Sequence, residues 1–235
     1  EIMLVRANEA SETVTFHTEP EPITLNVRDF GAFGDGAHDD TSAIQAAILC
    51  CPKNARVLIS KGTYLVTALF LKSDMILELQ ENAVLAGIYD RARTPILPGQ
   101  IEYDNEDGYY NLGSWEGNPI DSFASMITGI HVKNVTICGK GVLDGRADFE
   151  NWWSRPKDKI RAWRPRMIFL NHCENITVVG VTVQNSPAWN LHPYFSNQIR
   201  FLDMEVKGPA NSHNTDGCDP ESCTNVEIAG VHFSV

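Results

Sequence analysis

Four times in its second half this sequence repeats one short pattern: Asn or Gln, apolar, any, apolar, any, then Gly or Asp. The pattern starts at Asn134, Asn175, Gln198 and Asn225, at intervals of 41, 23 and 27 residues. Intervals in the twenties match one coil of a repeat architecture. The interval of 41 reads as one coil plus an insertion, which holds Trp152, Trp153 and Trp163. Such coils stack short strands into parallel sheets along an axis, a β-helix. The polar corner residue has a physical reason. Its side chain tolerates a tight turn and can hydrogen-bond to the equivalent atom one coil away.

The rest of the chain after residue 55 agrees with this reading. RVLIS, TYLVTALFLK, MILELQ, KNVTICGKGVLDG, RMIFLN, ENITVVGVTVQN, NQIRFLDMEVKG and TNVEIAGVHFSV are strand-like runs separated by turn residues. The expected class is therefore all-β. A sandwich is the competing fold, but it wants antiparallel hairpin turns such as Asn-Gly, which are sparse. The segment Thr41 to about Cys50 differs: Ile44, Ala47 and Ile48 recur at helical spacing. Ser42-x-x-Gln45 fits a capping box, and Asp39 and Asp40 suit a helix N-terminus. That helix is expected to cover the open N-terminal end of the coil and hide an unpaired sheet edge. The Gly-rich turn from Gly31 to Gly36 precedes it, but the spacing G-x-x-G-x-G and the lack of a βαβ series speak against a dinucleotide site.

Residues 1–18 read as two short strands and 19–23 as a linker. The strands resemble the tail of a fibronectin type III-like module, leaving 24–235 for the coil. The N-terminus lacks the order of a signal peptide, and no apolar run approaches the ~18 residues of a membrane span. A formal charge of −11, from 19 Lys plus Arg against 30 Asp plus Glu, argues against a nucleic-acid partner. It also argues mildly against a polyanionic substrate, unless local cations outweigh it. Six cysteines without a C-x-x-C pair make zinc and thioredoxin readings weak. Cys218 and Cys223 are near enough in sequence for a bridge, and buried free thiols are the simpler reading. Asn134-Val-Thr and Asn175-Ile-Thr are formal glycosylation sequons, but both fall on the corner pattern.

The densest polar stretch is SHNTDGCDPESC, residues 212–223, lying between two coil strands. It holds Asp216, Asp219 and Glu221, with His213 and Asn214 beside them. Residues on successive strands of a parallel sheet stack at ~4.8 Å, so carboxylates on adjacent coils can face one groove. Hydrolysis of a glycosidic bond needs two carboxyl groups, one protonated and one ionised. The plainer alternative is that Asp216-Gly217 and Asp219-Pro220 only make turns. Trp189 and His192, about one coil earlier, are candidate sugar contacts or packing residues. Trp115 and Glu116 sit in a long stretch, 90–125, that reads as irregular. Long loops on a rigid scaffold often shape a site.

At these residues the sequence resembles the polygalacturonases, glycoside hydrolase family 28. NTDGCDP at 214–220 is similar to the family's Asn-Thr-Asp-Gly signature. NVRDFGAFGDGAHDDTSAIQAAI resembles its N-terminal cap. SWEG at 114–117, GVLDG at 141–145, RPRMIFL at 164–170 and NSPAWNLHPYFSN at 185–197 follow in the family's order. The DPESC run looks more like the bacterial exo-acting branch. The resemblance implies a right-handed parallel β-helix, hydrolysis of α-1,4-galacturonan with inversion, and no metal or organic cofactor. It makes Asp216 one of the catalytic carboxylates. Asn214, Asp219, Trp189, His192, Trp115 and Glu116 become substrate-binding candidates. The implied partner is a polysaccharide or oligogalacturonide, with no nucleic acid and no membrane, met in a secreted or periplasmic setting. The family's Gly-Asp-Asp, Gly-His-Gly and Arg-x-Lys motifs do not follow the signature up to Val235. The expectation is that residues 1–235 by themselves lack hydrolase activity, since one carboxylate cannot serve as both acid and base. Two other functions stay open on the same fold: a polysaccharide lyase, with a basic catalytic residue and carboxylate-held calcium, and a non-catalytic carbohydrate-binding coil.

Overall fold

The computed structural model describes residues 2–4, 12–14, 21–102 and 109–235. Ile2–Leu4 and Glu12–Val14 pair antiparallel, as two short strands. The rest of the fibronectin-like tail, and residues 19–20 of the linker, lie outside the described residues.

From Thr24 on, the chain winds as a right-handed parallel β-helix. One seven-stranded sheet stacks Thr24–Asn26, Ala55–Ile59, Met75–Leu79, Lys133–Gly139, Glu174–Val179, Asn197–Leu202 and Thr224–Ala229. A second stacks Asp35–Asp39, Gly62–Val66, Ala83–Gly87, Val142–Asp144, Thr182–Gln184, Glu205–Lys207 and His232–Ser234. The third is shorter: Leu69–Phe70, Ile127–Ile130, Ile168–Asn171 and Leu191–Tyr194. Every pairing in these three sheets is parallel, which overturns the sandwich. Runs that read as single strands turn corners between sheets. TYLVTALFLK gives Gly62–Val66 to the second sheet and Leu69–Phe70 to the third. KNVTICGKGVLDG breaks at Gly139, whose φ of +113° no other residue type adopts easily. A Cβ there would lie 2.0 Å from the Leu79 carbonyl oxygen.

Alternation along each strand fills the axis. Val135, Ile176 and Ile199 are Cα partners, as are Ile137, Val178 and Phe201; all six are buried. Leu143, Val183 and Val206 stack from the second sheet, and Ile127, Ile168 and Leu191 from the third. Each coil therefore rests its apolar side chains on those of the last. Stacked this way, a core can grow along an axis without a large globular cross-section.

The corner ladder forms as the sequence suggests, and then changes. Asp74, Asn134, Asn175, Gln198 and Asn225 all have φ between +54° and +60°. Asn134 Nδ2 donates to Asp74 Oδ1 at 2.7 Å, and Asn175 Nδ2 to Asn134 Oδ1 at 2.9 Å. Gln198 does not continue it. Arg200 donates to Asn175 instead, and Asn225 donates to Asn197 Oδ1 at 2.9 Å. The longer Gln side chain keeps the backbone corner but hands its place in the ladder to its neighbour.

The helix spans Thr41–Cys50, with Ile44, Ala47 and Ile48 fully buried. The capping box is a correction. Gln45 does not reach back to the helix start. Its amide donates to the Phe70 carbonyl at 2.9 Å and accepts from the Phe70 N–H at 2.8 Å. Phe70 lies on the end strand of the third sheet, so one side chain pairs both backbone groups that an outer strand would otherwise leave bare. Asp39 Oδ1 takes the helix-start role, accepting from the Thr41 N–H at 2.9 Å.

The stretch 90–125 is not irregular in its described part. It forms three short antiparallel pairs: Ile96–Leu97 with Ser122–Phe123, Gln100–Glu102 with Tyr109–Asn111, and Ser114–Trp115 with Asn118–Pro119. The insertion after Asp144 packs Ala147, Trp152, Trp153 and Ala162 with Phe123 of the 90–125 stretch, in a small core apart from the axial one.

Candidate active site

The signature segment is the next rung of the third sheet. Leu191 bridges to Cys218 and Tyr194 to Glu221, both parallel. Asp219 N–H donates to the Leu191 carbonyl at 2.9 Å, and Glu221 N–H to that of Pro193 at 3.0 Å. Period-two alternation then decides which residues face the axis and which face outward. Cys218 turns inward and packs on the axial core. Asp219 turns outward, one rung from His192. All six cysteines are free thiols, and burial pushes Cys218 up to about 12.

Two buried side chains fix the turn that precedes this rung. Asn190 Nδ2 donates to the carbonyls of Thr215 and Asp216 at 2.9 and 3.1 Å. Arg164 Nη1 donates to the carbonyls of Pro187 and His213 at 2.6 and 2.7 Å. Its Nη2 donates to Asn214 Oδ1 at 2.7 Å. Burial, with Arg91 nearby, lowers the Arg164 guanidinium to about 10, so it stays cationic near neutrality. Gly217 is required by packing: a Cβ there would meet the Phe233 ring at 2.3 Å. Asp216 stands exposed at the head of the rung.

Below it lies a buried polar cluster. Arg166 is only 2% exposed. Its guanidinium sits 5.0 Å from the Trp115 ring centre and 5.3 Å from that of Trp189, and donates to the Ser114 carbonyl. The two indoles stack at 4.5 Å with 23° between their planes. Glu221 Oε1 accepts from the Gly117 N–H at 2.6 Å, and its Oε2 lies 2.8 Å from His192 Nε2. Burial drives His192 down to about 4 against the pull of Glu221, so the imidazole is neutral at pH 7. The bond to Glu221 then sets its tautomer: Nε2 carries the hydrogen and Nδ1 does not. Nδ1 is buried and has no hydrogen-bond partner among the described residues.

Asp219 is the most perturbed carboxyl here. Burial raises it first and the Asp216 carboxylate second, and its pKa reaches about 7; Arg166 opposes this and Glu221 adds to it. Its Oδ2 is buried without a hydrogen-bond partner among the described residues. A folded-state pKa above the unfolded value means stability is full below about pH 4 and declines as pH rises through 7. Asp219→Asn removes that penalty. The variant is expected to match the parent at pH 4 and to exceed it at pH 8 by about 2 kcal/mol in urea unfolding, less than the full shift would give. Equal midpoints at pH 8 would show that ionising Asp219 costs the fold nothing and that its pKa is not raised.

The residues expected from sequence divide accordingly. Asp216, Asp219 and Trp115 reach the site surface. Asn214 is beside them, with its side chain taken by Arg164. Trp189 and His192 lie deeper: Trp189 is 6% exposed with its ring against Trp115, and His192 is 0% exposed. This burial favours the packing alternative for both. Glu116 is exposed at the left-handed turn of the 114–119 hairpin, with φ +50°. It is Gly117, not Glu116, that meets Glu221. Sequence reasoning missed Arg164, Arg166 and Asn190 as site builders. It noted Glu221 without giving it a role. The R-P-R-M spacing was a usable signal, because a strand entering a core rarely carries two arginines unless they are paired.

The comparisons with known proteins bear on this site. The family description "Glycosyl hydrolases family 28" matches residues 105–235, and "Rhamnogalacturonase A/epimerase, pectate lyase-like" matches 24–137. A probable polygalacturonase of Vitis vinifera is 31% identical over 212 residues, covering 87% of this chain and 41% of its own. An exo-poly-alpha-D-galacturonosidase of Dickeya chrysanthemi is 37% identical over 181 residues, covering 76% and 28%. Among solved structures, an exopolygalacturonase from Thermotoga maritima superposes with a TM-score of 0.75 at 26% identity, over 91% of this chain and 54% of that one. The family 28 exopolygalacturonase of Yersinia enterocolitica gives 0.75 and 26%, over 96% and 47%. The chain thus spans less than half the length of either curated relative.

Proposed function

The chain belongs to glycosyl hydrolases family 28, and we propose on that basis that it serves the hydrolysis of α-1,4-galacturonan. The observation that carries this reading is the Asp216–Asp219 pair. One carboxyl stands exposed to water; the other, on the same rung, keeps its proton up to about pH 7. Environments that push two carboxyls apart are how one site holds an acid and a base together. Asp216 is the carboxylate that activates the attacking water. Asp219 presents an O–H to the bound sugar, and its neutrality removes a repulsion that an anionic uronate would otherwise meet. Arg166 supplies the balancing cation, and Glu221 and Trp115 hold the 114–119 hairpin over the groove. Three of these similar proteins carry exo-acting names, which supports release of units from chain ends. A polymer of this size is met outside the cytoplasm, so the protein acts as a secreted or periplasmic enzyme. Among the described residues, no helix is long and apolar enough to cross a membrane.

The test is incubation of the intact protein with polygalacturonate. Reducing ends should accumulate as short products, and nuclear magnetic resonance should show the fresh anomeric centre inverted. Products that absorb in the ultraviolet as unsaturated uronates would instead mean elimination, and the hydrolytic reading would fall.

A further inference from the structure

Beside the signature turn lies a cleft of about 330 Å³, walled by Trp115, Asn118, Lys157, Trp163, Arg164 and Asn214. It opens between the 114–119 hairpin and the insertion that follows Asp144. Its volume falls at the low end of small-ligand sites, roughly 300–1,000 Å³, and its mix of aromatic walls with few polar groups is typical of them.

The cations around it are not equivalent. Arg155 pairs with Asp158 at 2.6 Å and Lys159 with Asp121 at 2.9 Å. Arg161 donates to the Arg91 carbonyl. Arg164 directs its terminal nitrogens at Pro187, His213 and Asn214. Lys157 alone in this group has no ion pair or hydrogen bond among the described residues, and it lines the cleft. In a chain of net charge −11, a cation left unneutralised at the mouth of an aromatic cleft has a ready complement, a carboxylate on an otherwise ring-shaped, partly apolar ligand. Asn214, which lines the cleft, belongs to the same signature turn as Asp216.

We propose that this cleft binds one uronate unit of an acidic sugar chain, its carboxylate on Lys157 and one ring face against Trp163. The proposal rests on the galacturonan reading above, and it adds the residues that would select a free acid over an ester.

The test uses the intact protein carrying Asp216→Asn, so that ligand persists, and calorimetric titration with trigalacturonate and with its methyl ester. Lys157→Ala should weaken the acid by about tenfold, the scale of one charge-assisted contact, and leave the ester unchanged. Lys157→Arg should restore the acid. Trp163→Ala should weaken both ligands. Lys157 is exposed, so its loss should leave the unfolding midpoint in place. Trigalacturonate bound equally well without Lys157 overturns the subsite and leaves the galacturonan reading standing. If the parent binds neither ligand, both fall.

Discussion

Asp216→Asn should lower the rate of polygalacturonate hydrolysis by the intact protein by about three orders of magnitude, within the range expected for a positioned acid or base. The side chain is exposed and makes no hydrogen bond to another described residue. The urea midpoint should therefore stay within a few tenths of a kcal/mol, as for an ordinary surface change. The contrast is the point. Initial rates from reducing-end release and unfolding curves on the same preparation separate chemistry from folding. A variant that keeps a tenth of the parent rate would remove Asp216 from the reacting set.

Arg166→Met should do the opposite, striking the fold as hard as the activity. The substitution keeps length and apolar bulk but deletes the cation packed against the stacked indoles of Trp115 and Trp189. It also deletes the donor to the Ser114 carbonyl. Glu221, held below its usual range chiefly by the His192 contact despite its burial, then has no buried positive charge beside it, because His192 is neutral at pH 7. Breaking a buried charge cluster by removing one member costs about 3–5 kcal/mol. The loss should show as a large fall in urea midpoint at pH 7. A second readout is the pH profile: Asp219 loses the cation that restrains its pKa, so the group should titrate above 7 and the alkaline limb should move up. A midpoint within 1 kcal/mol of the parent would mean that Arg166 is compensated elsewhere.

Much of this was legible in the residues themselves. The corner positions Asn134, Asn175, Gln198 and Asn225 announce the coil because a left-handed turn and a stacked amide both select the same residue type. The helix at 41–50 is legible because Ile44, Ala47 and Ile48 keep helical spacing. The third sheet is much less so. Its strand Leu191–Tyr194 contains a histidine and a proline, and its outward positions carry the site, so apolar alternation is lost where the function lies. Gln45 shows a related limit. A local capping rule claimed it, and a strand edge 25 residues away took it. The depth at which Trp189 and His192 lie is illegible for the same reason. Their chain position put them one coil from Asp216, but burial depends on what Trp115 covers, and Trp115 is 74 residues earlier in the chain. Arg166 and Glu221 acquire their roles only when segments 52 and 104 residues apart are brought together.

The insertion after Asp144 shares a small core with Phe123, apart from the apolar stack along the axis. Lineages can therefore lengthen, trim or exchange this wall while the rungs beneath stay in register. The wall and the rungs are packed as separate clusters. A scaffold organised this way can change its wall by remodelling loops, without searching again for a fold.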